Sequence, residues 1–393
     1  MSPVSADTAQ ASQAPHPLDP ALASELEEAV SLVKAKLPDN QLFFHAGVLV
    51  EPPKQVLRKY LRAERAGQKV EPPPRCIELM FYISRTHRLF EAVVDVTNKK
   101  VDRLDEMPRS KMAPLNPEEA KLVSELVLGS DELKKEVERI KVPLSHVTAE
   151  PWDYARDSDN EYERKAQVFF FLRDTKTEDP DSNPYAHPLD FLMIVDLNGD
   201  ELKVAAVQRL PLGVSVKGDD EPKDGFKLGT SEEPEYAHHL QKEKPRTSLK
   251  PLRVVQPEGP SFKLDGYLVE WEKWRFRIGF NWREGLVLYD ITFDGRELFH
   301  RISLSEMVVP YGDPRAPLHR KSAFDLGNLG AGFCANNLGL GCDCLGVIKY
   351  FDAHLLGFDG KPFKAQNVVC MHEIDAGIQW KHTNWRTGNA SVV

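Results

Sequence analysis

Asp325 is a candidate for proton chemistry, a carboxylate set between Phe324 and Leu326 in the run Ala323-Phe-Asp-Leu-Gly327. On a strand that ends at Gly327 it would be partly desolvated, and burial raises a carboxylate pKa towards the working range of a general base. The Asp-x-Gly spacing alone favours a plainer role, a turn cap before Gly327. Tyr311, in Val309-Pro-Tyr-Gly-Asp-Pro314, offers a phenol that can donate to an oxyanion without carrying charge. A turn tyrosine beside Gly312 is the plainer alternative, and the local sequence alone prefers it.

Other constellations carry less. Cys342-Asp-Cys344 is half of a metal pair, but a structural zinc takes four ligands at recognisable spacing and no second pair exists. The five cysteines (Cys76, Cys334, Cys342, Cys344 and Cys370) are too few for a disulfide-built scaffold and allow one local bridge, or two at most. None of the 12 histidines forms His-x-His. The adjacent His238 and His239 lie in a charged linker and would point apart on an extended chain, as solvated residues. Gly330-Ala-Gly332-x-x-Ala335 is followed by a loop and not by the helix a pyrophosphate needs. His372-Glu373 lacks the second histidine of a zinc-protease helix.

The elements that must position these groups read as α+β units followed by β-structure. The chain has 393 residues, 41% apolar and 28% charged, with a net charge of -9. That charge argues against nucleic acid, which demands a basic stripe. No apolar run approaches the ~18 residues that span a bilayer. Residues 1–16 form a Ser/Ala/Pro-rich leader without the basic and apolar parts of a secretory signal, which favours an intracellular compartment where disulfides are unusual.

From Asp19-Pro20, residues Leu22, Leu26, Ala29, Val33 and Leu37 share one helical face, and Pro38 stops it. A strand to Val50, a basic helix over Pro53 to Glu64, strands over 76–85 and 89–96, and a hairpin at Asn98-Lys99 complete a small α+β domain, 17–107. A second α+β domain, 108–216, opens at Asn116-Pro-Glu-Glu119, a strong capping-box start, with Gly129 as its stop and a further helix from Ser130. Its strands are expected at 166–172 and 189–195, with Asn198-Gly199 as the best hairpin turn in the chain. Phe90 to Val101 and Phe191 to Val204 share a pattern, so the two domains read as a weak repeat. Residues 217–246 are a Lys/Glu/Gly/Pro-rich linker. From 247 to 393 short strands at 262–269, 274–280, 286–293, 297–304 and 346–350 read as a large β-sandwich. The final run from Asn389 looks like the opening of a strand without a partner, so the sandwich is expected to be truncated.

Long, irregular motifs then occur in order: GFNWREGLVLYDI from Gly279, HRISLSEM from His300, VPYGDP from Val309, HRKSAFDLGNLGAG from His319, NNLGLGCDCLG from Asn336, NVVCMHE from Asn367 and WKHTNWRTGNAS from Trp380. Together they resemble the catalytic domain of copper amine oxidases, most densely the intracellular fungal and yeast peroxisomal branch. The two α+β domains resemble that family's small N-terminal domains. The resemblance implies oxidation of a primary amine by dioxygen to an aldehyde, ammonia and hydrogen peroxide, in a homodimer, with topaquinone and a copper ion held by three histidines. It places Asp325 as the proton acceptor and Tyr311 as the anchor of a quinone oxygen. It makes Trp152, in a Glu-Pro-Trp turn, and Ala323 and Leu329 walls of the substrate channel; an aromatic core position is the plainer reading of Trp152. It pairs Cys344 with Cys370 in a disulfide.

In the family, the tyrosine that becomes topaquinone follows the Trp-Lys-His-Thr-Asn segment. Here all ten tyrosines lie before residue 351, and no metal-ligand set is evident. Neither cofactor site is therefore expected in this chain, which by itself should be inactive. The alternatives are a non-catalytic short form that binds a partner, or a gene-model fragment.

Overall fold

The structure is a computed structural model that describes residues 15–84, 86, 88–155, 163–198, 201–212, 225–228, 235–323, 326–378 and 380–392. It is a mixed α/β chain, mostly sheet with few helices.

The first unit contains α1 (Ala23–Lys36), β1 (Leu42–Val50), α2 (Lys54–Arg65), β2 (Cys76–Ile83), β3 (Leu89–Asp95) and β4 (Lys100–Glu106). The four strands form one antiparallel meander in chain order, and its turn at Asn98-Lys99 uses a left-handed Lys99. Leu26, Ala29 and Val33 are buried as their spacing requires, against Ile77, Leu79 and Phe81. The helix starts later than Asp19-Pro20 indicates. Asp19 instead accepts the His16 N–H at 2.9 Å and closes its own turn, while Glu25 accepts the Leu22 N–H at 2.9 Å.

The second unit contains α3 (Pro117–Gly129), α4 (Asp131–Ile140), β5 (Val147–Asp153), β6 (Lys165–Leu172), β7 (Pro188–Asp196) and β8 (Lys203–Arg209), again a four-stranded antiparallel meander. Asn116 accepts the Glu119 N–H at 2.9 Å and Ser130 accepts the Leu133 N–H at 3.2 Å, so both helix starts are capped by the residues that signal them. The Glu-Pro-Trp segment is corrected: it belongs to β5, not to a turn. β5 is an edge strand, where a missing proline N–H is tolerated. Gly199 of the expected Asn198-Gly199 turn lies outside the described residues.

β6 is buried along nearly its whole length because both faces of its sheet are covered. Val168, Phe170 and Leu172 face Val123, Val127, Leu133 and Val137 of α3 and α4. Phe169 and Phe171 face the other way and gather Trp152, Tyr154 and Leu318.

Among described residues of the 217–246 linker there is no helix or strand. Next come β9 (Lys263–Asp265), β10 (Leu268–Trp271), β11 (Trp274–Asn281), β12 (Gly285–Phe293) and β13 (Arg296–Ser303), a five-stranded antiparallel sheet. Short pieces follow: β14 (Val309–Pro310), β15 (Ser322–Ala323) and α5 (Leu326–Leu329). The chain continues through a long hairpin of β16 (Lys349–Leu356) and β17 (Pro362–Met371), then β18 (Lys381–Thr383) and β19 (Ala390–Val392). The five-stranded sheet and the β16–β17 hairpin share one core, Val269, Ile278, Phe280, Phe351, Leu355 and Val369 among its members. The final run also departs from expectation: β19 has a partner, pairing antiparallel with β18.

The first unit is welded to the five-stranded sheet. Leu57 and Leu61 of α2 pack on Val287 and Tyr289. The basic face of α2 meets carboxylates, with Arg62 Nε 2.8 Å from Glu297, Arg58 3.1 Å from the same carboxylate, and Arg65 on both Asp290 and Glu297. These bonds hold the Glu297 carboxyl down at about 2.

His45 of β1 sits in that interface, 8% exposed and 5.0 Å edge-on to the Trp282 ring, with neither ring nitrogen bonded. Burial drives its pKa down to about 4. The unfolded chain then binds a proton between about pH 6.5 and 4 that the folded chain refuses. Stability is full above that window and falls as pH drops through it, by about 3 kcal/mol at ~1.4 kcal/mol per unit. His45→Phe is expected to flatten the pH dependence of the denaturation midpoint across this window.

Candidate active site

The site is assembled by a two-rung ladder. β14 pairs antiparallel with β15, Val309 opposite Ala323 and Pro310 opposite Ser322, and the Tyr311 N–H donates to the Lys321 carbonyl at 3.1 Å. The ladder docks on the outer face of the second unit's sheet. There the Gln167 amide donates to the carbonyls of Asp153 at 2.9 Å and Arg320 at 3.1 Å, and the Arg320 guanidinium lies 4.5 Å from the centre of the Tyr154 ring. Two regions distant in sequence are thus held in register by a fully buried polar side chain.

The docking brings aromatic rings together. Trp152 and Tyr311 have ring centres 5.7 Å apart, and Trp152 stands edge-on to Phe169 at 5.4 Å. Tyr311 keeps 52% of its surface exposed. The Lys321 ammonium lies 4.5 Å from the centre of Tyr311, 5.0 Å from Phe169 and 5.2 Å from Trp152.

Of the residues singled out in the sequence, Trp152 and Tyr311 are therefore neighbours. Asp325 lies outside the described residues; Ala323 ends β15, and Leu326, buried, opens α5 with its N–H on the Met307 carbonyl at 3.2 Å. Gly327 belongs to that helical turn, not to a strand end. Leu329 is half-exposed at the end of α5 and stands outside the cluster of Trp152 and Phe169. Phe169, Gln167 and Lys321 were not singled out. Phe169 is one of three consecutive phenylalanines and Lys321 part of a basic triplet, where nothing local marks them, whereas Gln167, a lone polar residue between Ala166 and Val168, was a signal that could have been read.

Beside the ladder, Gly327 and Asn328 line a cavity of about 850 Å³ with Tyr154, His45, Trp282 and Met80, where all three parts of the fold meet.

The two cysteines that the resemblance pairs, Cys344 and Cys370, are neighbours in the structure. Both cysteines are free thiols here, their sulfurs and a His372 nitrogen all within 4.8 Å of one another. Tyr350 faces Cys370 across the β16–β17 ladder and puts its hydroxyl 3.8 Å from the Cys344 sulfur. Burial and the neighbouring Cys344 push the Cys370 thiol up to about 11.

Comparison with known proteins decides the family. Residues 16–107 match the copper amine oxidase N2 domain, 118–223 the N3 domain, and 263–393 the enzyme domain of the same family. The chain belongs to the copper amine oxidase family. Copper amine oxidase 1 of Aspergillus niger is 40% identical over 391 residues, covering 96% of this chain and 58% of that protein. The peroxisomal primary amine oxidase of Pichia angusta is 33% identical over 94% of this chain and 51% of its own length. The crystal structure of a copper-containing benzylamine oxidase from Hansenula polymorpha superposes with a TM-score of 0.86 at 36% identity, over 96% of this chain and 58% of that one. The chain spans a little over half the length of these relatives.

The family implies copper and topaquinone. Among the described residues, the clusters of potential metal ligands hold at most one histidine each, so they do not fit a three-histidine copper centre. No tyrosine follows Tyr350. No helix among the described residues is long and apolar enough to cross a membrane.

Proposed function

We propose that this chain is part of a primary amine oxidase that converts a primary amine, dioxygen and water to an aldehyde, ammonia and hydrogen peroxide. Its 393 residues supply the proton acceptor, Asp325, and one wall of the amine channel, while copper and topaquinone are held by residues outside it. The observation that carries this is the meeting of Trp152 and Tyr311, from different units, beside the β14–β15 ladder, whose last residue, Ala323, stands two positions before Asp325 in the sequence. An apolar amine tail would lie against these rings, and its α-carbon would be presented to the carboxylate. Tyr311 donates its phenol hydrogen to a cofactor oxygen, and Ala323 and Leu329 extend the wall. The complete protein acts as a homodimer in an intracellular compartment, the peroxisome by analogy with the relative named as peroxisomal.

The test is cofactor formation. The 393-residue chain, purified, loaded with copper and aerated, is expected to develop no quinone absorbance and no redox-cycling stain. The complete protein should develop both. A stain from the short chain that survives removal of free copper would overturn the division of labour.

The thiol pair belongs to the same proposal. Under diamide, which takes up two electrons and two protons, Cys344 and Cys370 are expected to bridge. Five titratable thiols would then fall to three, and Cys344→Ser would abolish the change. A count that stays at five would remove the bridge from the account.

A further inference from the structure

We propose that Lys321 sets which amines the channel admits: its ammonium, ringed by Trp152, Phe169 and Tyr311, repels a second cationic group and so selects monoamines with uncharged tails. The inference rests on the reading of this cluster as the amine's path and goes beyond it by naming the substrate class and the residue that chooses it.

Three rings lie within 4.5–5.2 Å of the Lys321 nitrogen, inside the ~6 Å over which an aromatic face attracts a cation. The backbone leaves the side chain little choice of place. Its carbonyl is tied to Tyr311, and that of the preceding residue, Arg320, to Gln167. Three enclosed arginines have carboxylate partners: Arg164 has Glu119, Arg301 has Glu51 and Glu284, and Arg277 has Glu64. Lys321 has none among the described residues, only π faces, and burial draws its pKa below the ordinary lysine value.

A positive charge with no carboxylate partner among the described residues acts on whatever enters the channel. A diamine brings one amino group to the reacting centre, and its distal ammonium must then pass Lys321. Two like charges roughly 6–10 Å apart at an effective dielectric near 20 discriminate by ~10–100-fold. A neutral alkyl or aryl tail meets no such penalty and packs on the rings and on the lysine's methylene stem. The aromatic cluster that would otherwise welcome a cation is already occupied by the protein's own.

The experiment uses the complete enzyme and two substrates of equal length, n-pentylamine and 1,5-diaminopentane, with kcat/KM taken per hydrazine-titrated site. Lys321→Met is expected to raise the diamine-to-monoamine ratio by ~10–100-fold, mainly through the diamine's KM, whereas Lys321→Arg keeps the charge and should stay near wild type. In the wild type the preference should also shrink with added salt. If Lys321→Met carries no titratable site, Lys321→Gln supplies the neutral variant. A ratio unmoved in the neutral variant of an enzyme that oxidises pentylamine would overturn the inference and leave the oxidase reading intact. A wild type that consumes neither amine would bring down the reading beneath it and the inference together.

Discussion

Replacing Asp325 by Asn in the complete enzyme is expected to slow turnover by ~10²–10⁴-fold while leaving the number of hydrazine-titratable sites unchanged, because general-base removal acts on the proton-transfer step. The substitution keeps the shape and most of the hydrogen bonding of the carboxylate and removes only its basic lone pair. An α-carbon proton is not acidic enough to leave unaided, so the base is rate-determining once it is disabled. A merely structural Asp325 gives a different result. The protein would then lose stability and titratable sites together, and the sites that remain would turn over at a near-normal rate.

The second large effect falls on stability. Arg164 is 7% exposed and joins three parts of the chain at once. Its guanidinium donates to the Ala113 carbonyl at 3.2 Å and the Pro114 carbonyl at 2.9 Å in the connector, pairs with Glu119 at the start of α3, and lies 4.5 Å from the centre of the Tyr82 ring in the first unit. Arg164→Ala strips the partner from an enclosed carboxylate, which typically costs ~3–5 kcal/mol. In denaturant the variant is expected to lose the second unit first, so the unfolding of the two α+β units separates into two steps. Pairing Arg164→Met with Glu119→Gln should recover a good part of the loss, because no unpaired charge remains. Equal midpoints for Arg164→Ala and wild type would show that the junction contributes nothing.

What the sequence disclosed follows from the range of the interactions. Local signals were legible. Asn116 through Glu119 announce α3, the spacing of Leu26, Ala29 and Val33 gives the buried face of α1, and the alternation in the strands yields the α+β order. β5 stayed hidden because Pro151 reads as a breaker unless the strand is known to lie on an edge. The basic helix α2 gave no hint of its purpose, since Glu297 and Asp290 stand more than 200 residues away in the chain. The site divides the same way. Asp325 and Tyr311 are marked by the motifs around them, while Phe169, Gln167 and Lys321 acquire a role only when two distant segments dock. Nor did the paired-cysteine reading anticipate His372, which shares a strand direction with Cys370 at a spacing of two and so reaches the same small volume.

The central claim, that this chain belongs to a protein that oxidises primary amines by way of the Trp152–Tyr311 channel, is tested most directly by a product balance on the complete, copper-loaded enzyme. With benzylamine as substrate, each dioxygen consumed should yield one benzaldehyde, one ammonia and one hydrogen peroxide, and Trp152→Ala should weaken KM more than kcat because it removes wall and not base. Oxygen uptake that stays at background in a preparation with a full complement of titratable quinone would contradict the account.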